Sequence, residues 1–259
     1  MDINNKNIIL TGAASGIGAA LLDQLLEIPG VQIVATDLNA ISHKPIPGQL
    51  HLHQGDIATE QGIEDLFEFA QGAIGNIDIF IANAGFAYYE KNHQEDWQHV
   101  DRIYRCNTFS PIYCAHKLAR INENREYCIL ITASFMGLYS LPGYSLYSST
   151  KSALLSWADA YNMEKTDKGH VLMLCPVATK THFFDTTAPV PWPTQTADEV
   201  AKAAIKGIKA NKTRIYPSKL SQLTLFLNWV FPLTMPIYRG IEKLKFKQWL
   251  NAKPAEQHR

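Results

Sequence analysis

The chain has 259 residues, 46% of them hydrophobic, with 24 Lys plus Arg balanced by 24 Asp plus Glu, so its formal charge is zero. No basic field suggests nucleic acid, and small neutral or lipid-like partners fit the balance better. No Pro/Ser/Gly linker or charge block divides the sequence, which predicts one domain over residues 1–259.

Ile8-Ile9-Leu10 is a short apolar run, and Thr11 to Gly18 then forms a glycine-rich turn. Ile17, Leu21, Leu25 and Ile28 recur at helical spacing until Pro29-Gly30 stops the pattern. Strand, glycine loop and helix in this order let the backbone approach a pyrophosphate, which rests on the free amides at the helix start. The pattern is G-x-x-x-G-x-G, carried by Gly12, Gly16 and Gly18, and a plain tight turn would use the same glycines.

Val31 to Thr36 is a β-branched apolar run ending at Asp37. A carboxylate there accepts bonds from ribose hydroxyls and repels a 2′-phosphate, which favours NAD over NADP. Pro45, Pro47 and Gly48 leave residues 38–49 as a loop or a short helix. Leu50 to Gln54 is a third strand leading to Asp56 and Ile57, with Asp56 placed to reach an adenine. His51 and His53 share a strand face, but no further His, Cys or Asp joins them as ligands, so no metal site is predicted.

Ile63, Leu66, Phe67, Ala70 and Ile74 make the apolar stripe of a helix starting near Thr59. Ile77 to Ala82 follows as a strand and ends in Asn83-Ala84-Gly85, small enough to let a cofactor lie against the backbone. Glu95 to Arg120 reads as one long helix with Asn107 in its middle, a poor helix residue unless its amide has a specific partner. Tyr127 to Thr132 is the next strand, and Ser134 lies just beyond it. His170 to Leu174 leads to Cys175-Pro176, then residues 181–196, rich in proline and bulky apolar side chains, form a lid. Thr196 and Glu199 open a helix as a capping box, and Ile215-Tyr216 is the last strand. The four cysteines, without a C-x-x-C pair, read as reduced core thiols, and the start of the chain lacks a signal-peptide pattern, so a cytoplasmic protein is expected.

Alternating strands and helices predict an α/β fold: a Rossmann-type, doubly wound parallel sheet of about seven strands with helices on both faces. Ligands bind such sheets at the carboxyl ends of the strands. The strand ends here are Thr11, Asp37, Asp56, Asn83, Ser134 and Pro176, where the unusual residues cluster.

A Tyr-x-x-x-Lys pair puts both side chains on one helix face. The spacing occurs at Tyr113/Lys117, Tyr147/Lys151 and Tyr161/Lys165. Thirteen residues before Tyr113 stands Val100, with no hydroxyl, while Ser148 precedes Tyr161 on one continuous helix, about 20 Å away at ~1.5 Å per residue. Only Ser134 precedes its tyrosine, Tyr147, across a turn that can fold the two hydroxyls together.

These features resemble the short-chain dehydrogenase/reductase family, in its group with TGxxxGxG, NAG and YxxxK motifs, over roughly residues 7–181. The resemblance implies catalytic Asn107, Ser134, Tyr147 and Lys151, with Asn107 holding a water linked to Lys151. It implies a cofactor site of Gly12, Ser15, Gly16, Ile17, Gly18, Asp37, Asp56, Ile57, Asn83, Ala84, Gly85, Tyr147, Lys151, Pro176 and Thr181. Around Ser134 and Tyr147 it places substrate contacts at Phe135, Tyr144, Phe183, Phe184 and Trp192, with Phe86, Tyr88 and Met136 nearby. It also implies a homodimer or homotetramer. Val177 departs from the family's usual glycine after the proline.

The expected reaction interconverts a hydrophobic secondary alcohol and its ketone with NAD, Tyr147 acting as general acid/base. Bringing a tyrosine from ~10 toward neutrality by ~3 units takes about 4 kcal/mol. A cation some 5 Å away at an effective dielectric of ~20 contributes roughly 3 kcal/mol, so Lys151 is expected to supply most of it. The competing readings are a non-catalytic NAD-binding regulator, because fold alone does not fix function, and a membrane-surface-associated dehydrogenase of lipid- or steroid-type substrates.

Residues 217–259 form an apolar and basic extension. Leu220 to Tyr238 is its most apolar run, interrupted by Gln222, Asn228, Pro232 and Pro236 and so short of an uninterrupted membrane span. Arg239, Lys243, Lys245 and Lys247 follow, with Glu242 as the acid among them. The segment is a lid, a subunit interface or, through residues 220–247, a peripheral membrane contact.

Overall fold

The computed structural model of the chain describes residues 1–91, 95–181, 183 and 190–252. Its centre is a seven-stranded, all-parallel sheet. The strands are β1 (Asn7–Thr11), β2 (Gln32–Asp37), β3 (Leu50–Gln54), β4 (Ile79–Ala82), β5 (Tyr127–Thr132), β6 (Gly169–Leu174) and β9 (Arg214–Ile215), ordered β3-β2-β1-β4-β5-β6-β9. The order reverses between β1 and β4, which opens a crevice beyond their carboxyl ends.

Continuous apolar runs suit a parallel sheet covered on both faces, and the two-residue side-chain period divides them. Ile8, Leu10, Ile33, Ala35, Leu130 and Leu172 face α1 (Gly16–Leu26) and α6 (Ala197–Lys209). Ile9, Val34, Phe80, Ile129, Val171 and Met173 face α2 (Glu60–Ile74), α4 (Ser110–Ile121) and α5 (Ser145–Glu164). Thr59 caps α2 by accepting from the Gly62 amide at 3.0 Å, and Thr196 with Glu199 forms the capping box of α6.

The expected helix over Glu95 to Arg120 is interrupted. α3 (Trp97–Tyr104) runs into a π-helical turn, Arg105–Phe109, before α4 begins with Pro111 in its first turn. Asn107 sits in that turn, fully buried, and its amide supplies the reason for the widening. Its Oδ1 accepts from the Phe86 amide at 3.0 Å, while Nδ2 donates to the Phe86 carbonyl at 2.8 Å and to Thr150 Oγ1 at 3.3 Å. Single π turns of this kind recur at functional sites. The last sheet strand is Arg214–Ile215, one residue earlier than its apolar pattern predicts, and residues 38–49 form a loop with one isolated bridge, Ile46 to Leu50.

Two short strands, β7 (Ala178–Thr179) and β8 (Thr194–Gln195), pair in parallel and tie together the ends of the predicted lid. Residues 182 and 184–189 of that lid lie outside the described residues. The C-terminal apolar run divides into α7 (Lys219–Val230) and α8 (Thr234–Ala252), bent by 118°. Pro232 falls in the break, and Pro236 occupies the first turn of α8, where a missing N–H costs no helical bond.

Candidate active site

A cleft of about 510 Å³ follows the carboxyl ends of β1, β2, β3, β4, β5 and β6. Of the residues nominated for a cofactor, all line it except Gly18. Gly18 stands just behind, where a Cβ would lie 1.8 Å from the Gly12 carbonyl oxygen. Gly12 and Gly16 adopt φ of +70° and +56°, and a Cβ on Gly12 would meet the Ala84 Cα at 2.8 Å. Each glycine thus removes a side chain that would fill the cradle.

Ser15 is the N-cap of α1, yet its hydroxyl makes no capping bond and no acid occupies the first turn. That helix end therefore presents uncapped amides and a positive dipole to the cleft, a fit for a pyrophosphate. Asp37 accepts from the Ala14 amide at 3.0 Å through Oδ2 and from the Asn39 amide at 2.9 Å through Oδ1. Each oxygen keeps a further lone pair for a ribose hydroxyl. Asp56 is braced by the Ala58 amide at 2.9 Å, with Ile57 beside it on the cleft wall.

A hydrogen-bonded line crosses the sheet from the glycine loop to the far end of the cleft. Thr11 Oγ1 accepts from the Asn83 and Ala84 amides, both at 3.1 Å, and Asn83 Nδ2 donates to the Gly12 carbonyl at 3.3 Å. Thr132 Oγ1 donates to Asn83 Oδ1 at 3.1 Å, and the Thr132 carbonyl accepts from Lys151 Nζ at 2.8 Å. The ends of β1, β4 and β5 are thereby locked to α5.

At that far end Ser134, Tyr147 and Lys151 meet, all buried. Ser134 Oγ accepts from the Met136 amide at 3.1 Å, capping a short 3-10 turn, and its hydroxyl lies near enough to the Tyr147 phenol to favour the phenolate. Lys151 Nζ lies 5.8 Å from the Tyr147 ring centroid. Gly85 keeps this corner open, since a Cβ there would stand 3.0 Å from Asn107 Oδ1 and 3.5 Å from Lys151 Nζ. Asn107 itself does not line the cleft, and both its N–H bonds are committed to the Phe86 carbonyl and Thr150.

The electrostatics differ from the expectation that Lys151 draws Tyr147 down. Burial pushes the Tyr147 phenol up to about 12, with the Ser134 hydroxyl opposing the rise. Burial also pushes Lys151 down to about 8. In a low-dielectric pocket both charged forms are disfavoured in the protein alone. Because Lys151 falls below its ordinary value, the unfolded chain binds the proton more strongly across the window from about pH 8 to 10.5. Stability from this group therefore rises with pH there. Urea midpoints of the parent and Lys151→Met across that window should diverge in the parent's favour as pH rises; a constant gap would show an unperturbed lysine.

Phe183 stacks edge-on to Tyr147 at 5.6 Å between ring centroids and, with Phe86 and Met136, lines the cleft. Tyr144 packs in the same apolar cluster, 6.4 Å from the Tyr147 ring, behind the lining. Phe135 packs against Tyr139 with tilted rings and Trp192 is 64% exposed; neither lines the cleft, and Phe184 lies outside the described residues. Val177 lines the cleft with a negative φ, so this β-branched residue replaces the expected glycine without backbone strain. Arg102 and Cys106, one helical turn apart, also line the cleft and were not singled out from sequence. Their spacing marks a shared face, but only packing shows where that face points.

The other two Tyr-Lys pairs are held elsewhere. Tyr113 and Lys117 both bond Glu64, at 2.9 and 2.5 Å. Lys165 donates to the Gly169 carbonyl, and Tyr161 stacks on Trp157.

A doubly wound sheet with a glycine-lined crevice at its switch point defines a Rossmann-type nucleotide-binding protein. Residues 6–190 match the family model described as short chain dehydrogenase. The chain belongs to the short-chain dehydrogenase family of oxidoreductases. It is 23% identical over 262 residues to short-chain dehydrogenase/reductase family 16C member 6 of Bos taurus, covering 93% of this chain and 82% of that protein. It is 26% identical over 191 residues to a diacetyl reductase [(S)-acetoin forming] of Staphylococcus epidermidis, covering 70% and 74%. Among solved structures, a short-chain dehydrogenase from Burkholderia cenocepacia in complex with NADP superposes with a TM-score of 0.78 at 18% identity, covering 92% and 99%. One from Burkholderia phymatum in complex with NAD gives 0.77 at 17%, covering 88% and 94%.

Proposed function

We propose that the protein is an NAD-dependent oxidoreductase that interconverts a hydrophobic secondary alcohol and its ketone. The observation that carries this reading is the convergence of Ser134, Tyr147 and Lys151 at the end of the glycine-lined cleft. Tyr147 takes the hydroxyl proton of the alcohol, or returns it to the ketone, while Ser134 hydrogen-bonds the reacting oxygen. Lys151 holds positive charge beside the phenolate and would bind the nicotinamide ribose, and Asn107 sets the backbone around Gly85 and Phe86. A nicotinamide held in this cleft would supply the hydride acceptor or donor and, when oxidised, a further positive charge. Phe86, Met136 and Phe183 give an apolar wall in which polar contacts are needed only at the reacting oxygen.

A panel of hydrophobic secondary alcohols and ketones with NAD and NADP, followed by absorbance of the reduced nicotinamide, tests the reading. Turnover with NAD supports it. Stabilisation by NAD without turnover of any member would instead favour the non-catalytic regulator. For cofactor choice, Asp37→Ala is expected to lower the NAD-to-NADP ratio of kcat/KM by about tenfold, one charge-assisted hydrogen bond at ~1.5 kcal/mol. An unchanged ratio removes Asp37 from that role. Family likeness also suggests a homodimer or homotetramer, and a single monomeric species in sedimentation velocity would exclude that assembly.

A further inference from the structure

The helices α7 and α8 carry a surface that the redox site does not use. Phe226, Trp229, Phe231, Leu233, Ile237 and Leu244 are each more than half exposed, on α7, the intervening turn and α8. The opposite side of the pair is already committed to the body of the protein. Ser221, Met235 and Glu242 are buried, and three side chains pin the helices down. Asn228 Nδ2 donates to the Tyr139 hydroxyl at 3.1 Å, Arg239 Nε to the Ser140 carbonyl at 3.1 Å and the Tyr238 hydroxyl to the Trp192 carbonyl at 2.7 Å. The apolar side is therefore held outward by a packed inner side.

Charge says what kind of partner this side suits. Although the chain as a whole is balanced, residues 219–252 contain five basic residues, Lys219, Arg239, Lys243, Lys245 and Lys247, against the single acid Glu242. That acid is buried and bonded to Lys245 at 2.6 Å, so it does not offset the exposed Lys243 and Lys247. We infer that α7 and α8 form a docking surface for an anionic lipid bilayer, with the exposed aromatic and aliphatic side chains in the headgroup region and the basic residues on lipid phosphates.

As a docking surface the pair lies along the bilayer, although its two helices taken together have the length and composition of a broken span. No single described helix is long and apolar enough to span a membrane, and α7 and α8 are bent by 118°. A second copy of the chain is a poorer occupant, because a twofold contact through the same patch brings Lys243 and Lys247 toward their own kind with no exposed acid in residues 219–252. The helix pair also adjoins the substrate end of the cleft. Tyr238 of α8 packs on the apolar cluster that contains Tyr147 and Phe183, and exposed Trp192 is bonded to it.

Co-sedimentation of the full chain with vesicles tests the assignment. The protein should pellet with phosphatidylcholine vesicles containing phosphatidylglycerol, less with phosphatidylcholine alone, and less again as salt rises. Lys243→Gln and Lys247→Gln should each weaken binding by about fivefold. The triple variant Trp229→Ser, Phe231→Ser, Leu233→Ser should abolish it while keeping the parent's far-UV circular dichroism. Tyr147→Phe should bind as the parent does, which separates this surface from the redox reading. No pelleting with either vesicle, or undiminished pelleting of the triple variant, overturns the inference. So does a parent dimer that binds no vesicles and dissociates in the triple variant, which would assign the face to a second copy.

Discussion

Tyr147→Phe is expected to lower kcat for alcohol oxidation by about 10²- to 10⁴-fold, the range a positioned acid or base contributes. The phenol hydroxyl is the group that Ser134 meets, and the cleft keeps it away from bulk water. Removing it leaves the glycine loop, Asp37 and the Lys151 bond to Thr132 intact, so the KM for NAD should change little. The pH dependence has a definite sign. In the free protein burial holds the phenol protonated up to about 12. Oxidation needs the phenolate, so kcat/KM for the alcohol should rise with pH through the neutral and alkaline range in the parent and lose that slope in the variant. Full turnover in Tyr147→Phe, or an identical pH profile, would remove the tyrosine from proton transfer.

The second large effect belongs to Gly18→Ala. Its Cβ would sit 1.8 Å from the Gly12 oxygen and 2.7 Å from Asn83 Nδ2, so the loop between β1 and α1 has to move. Overpacking of this kind costs about 1–3 kcal/mol, which lowers Tm by several degrees in a chain of this size. The displacement reaches the catalytic end through the Gly12, Asn83, Thr132 and Lys151 line, so turnover should fall along with cofactor affinity. Gly72→Ala is the control. Nothing lies within 4 Å of the added Cβ and the residue is in α2, so stability should hold or rise by up to about 1 kcal/mol. Equal losses in both variants, read from thermal unfolding, would show that close approach at Gly18 is not what matters.

Much of the site is legible in the chain because parallel sheets gather function at strand ends. A run such as Val31 to Thr36 announces a buried strand by its β-branched residues, and the polar residue that ends it, Asp37, must then lie at the rim. The same logic places Asn83 and Ser134 on the cleft and chooses Tyr147 among three equivalent spacings. Periodicity does not extend to side chains whose position depends on a neighbour. The π turn at Arg105–Phe109 follows from Asn107 clamping Phe86, two residues 21 positions apart. Arg102 in α3 and Cys106 in that turn line the cleft, a direction that their spacing alone does not give.

What the amino-acid order by itself determined is the local grammar: which runs are strands, where they end, which glycines must lack a side chain and which Tyr-Lys pair has a hydroxyl within reach. Tertiary structure decided the energetics of that pair, since burial acts through atoms supplied by distant segments and raises Tyr147 to about 12 where proximity to Lys151 alone predicts a fall. It also decided the meaning of the C-terminal apolar run. Hydropathy reads the same for a buried and an exposed leucine, and only packing shows that α7 and α8 bury Met235 and Glu242 while turning Trp229, Phe231 and Leu233 outward.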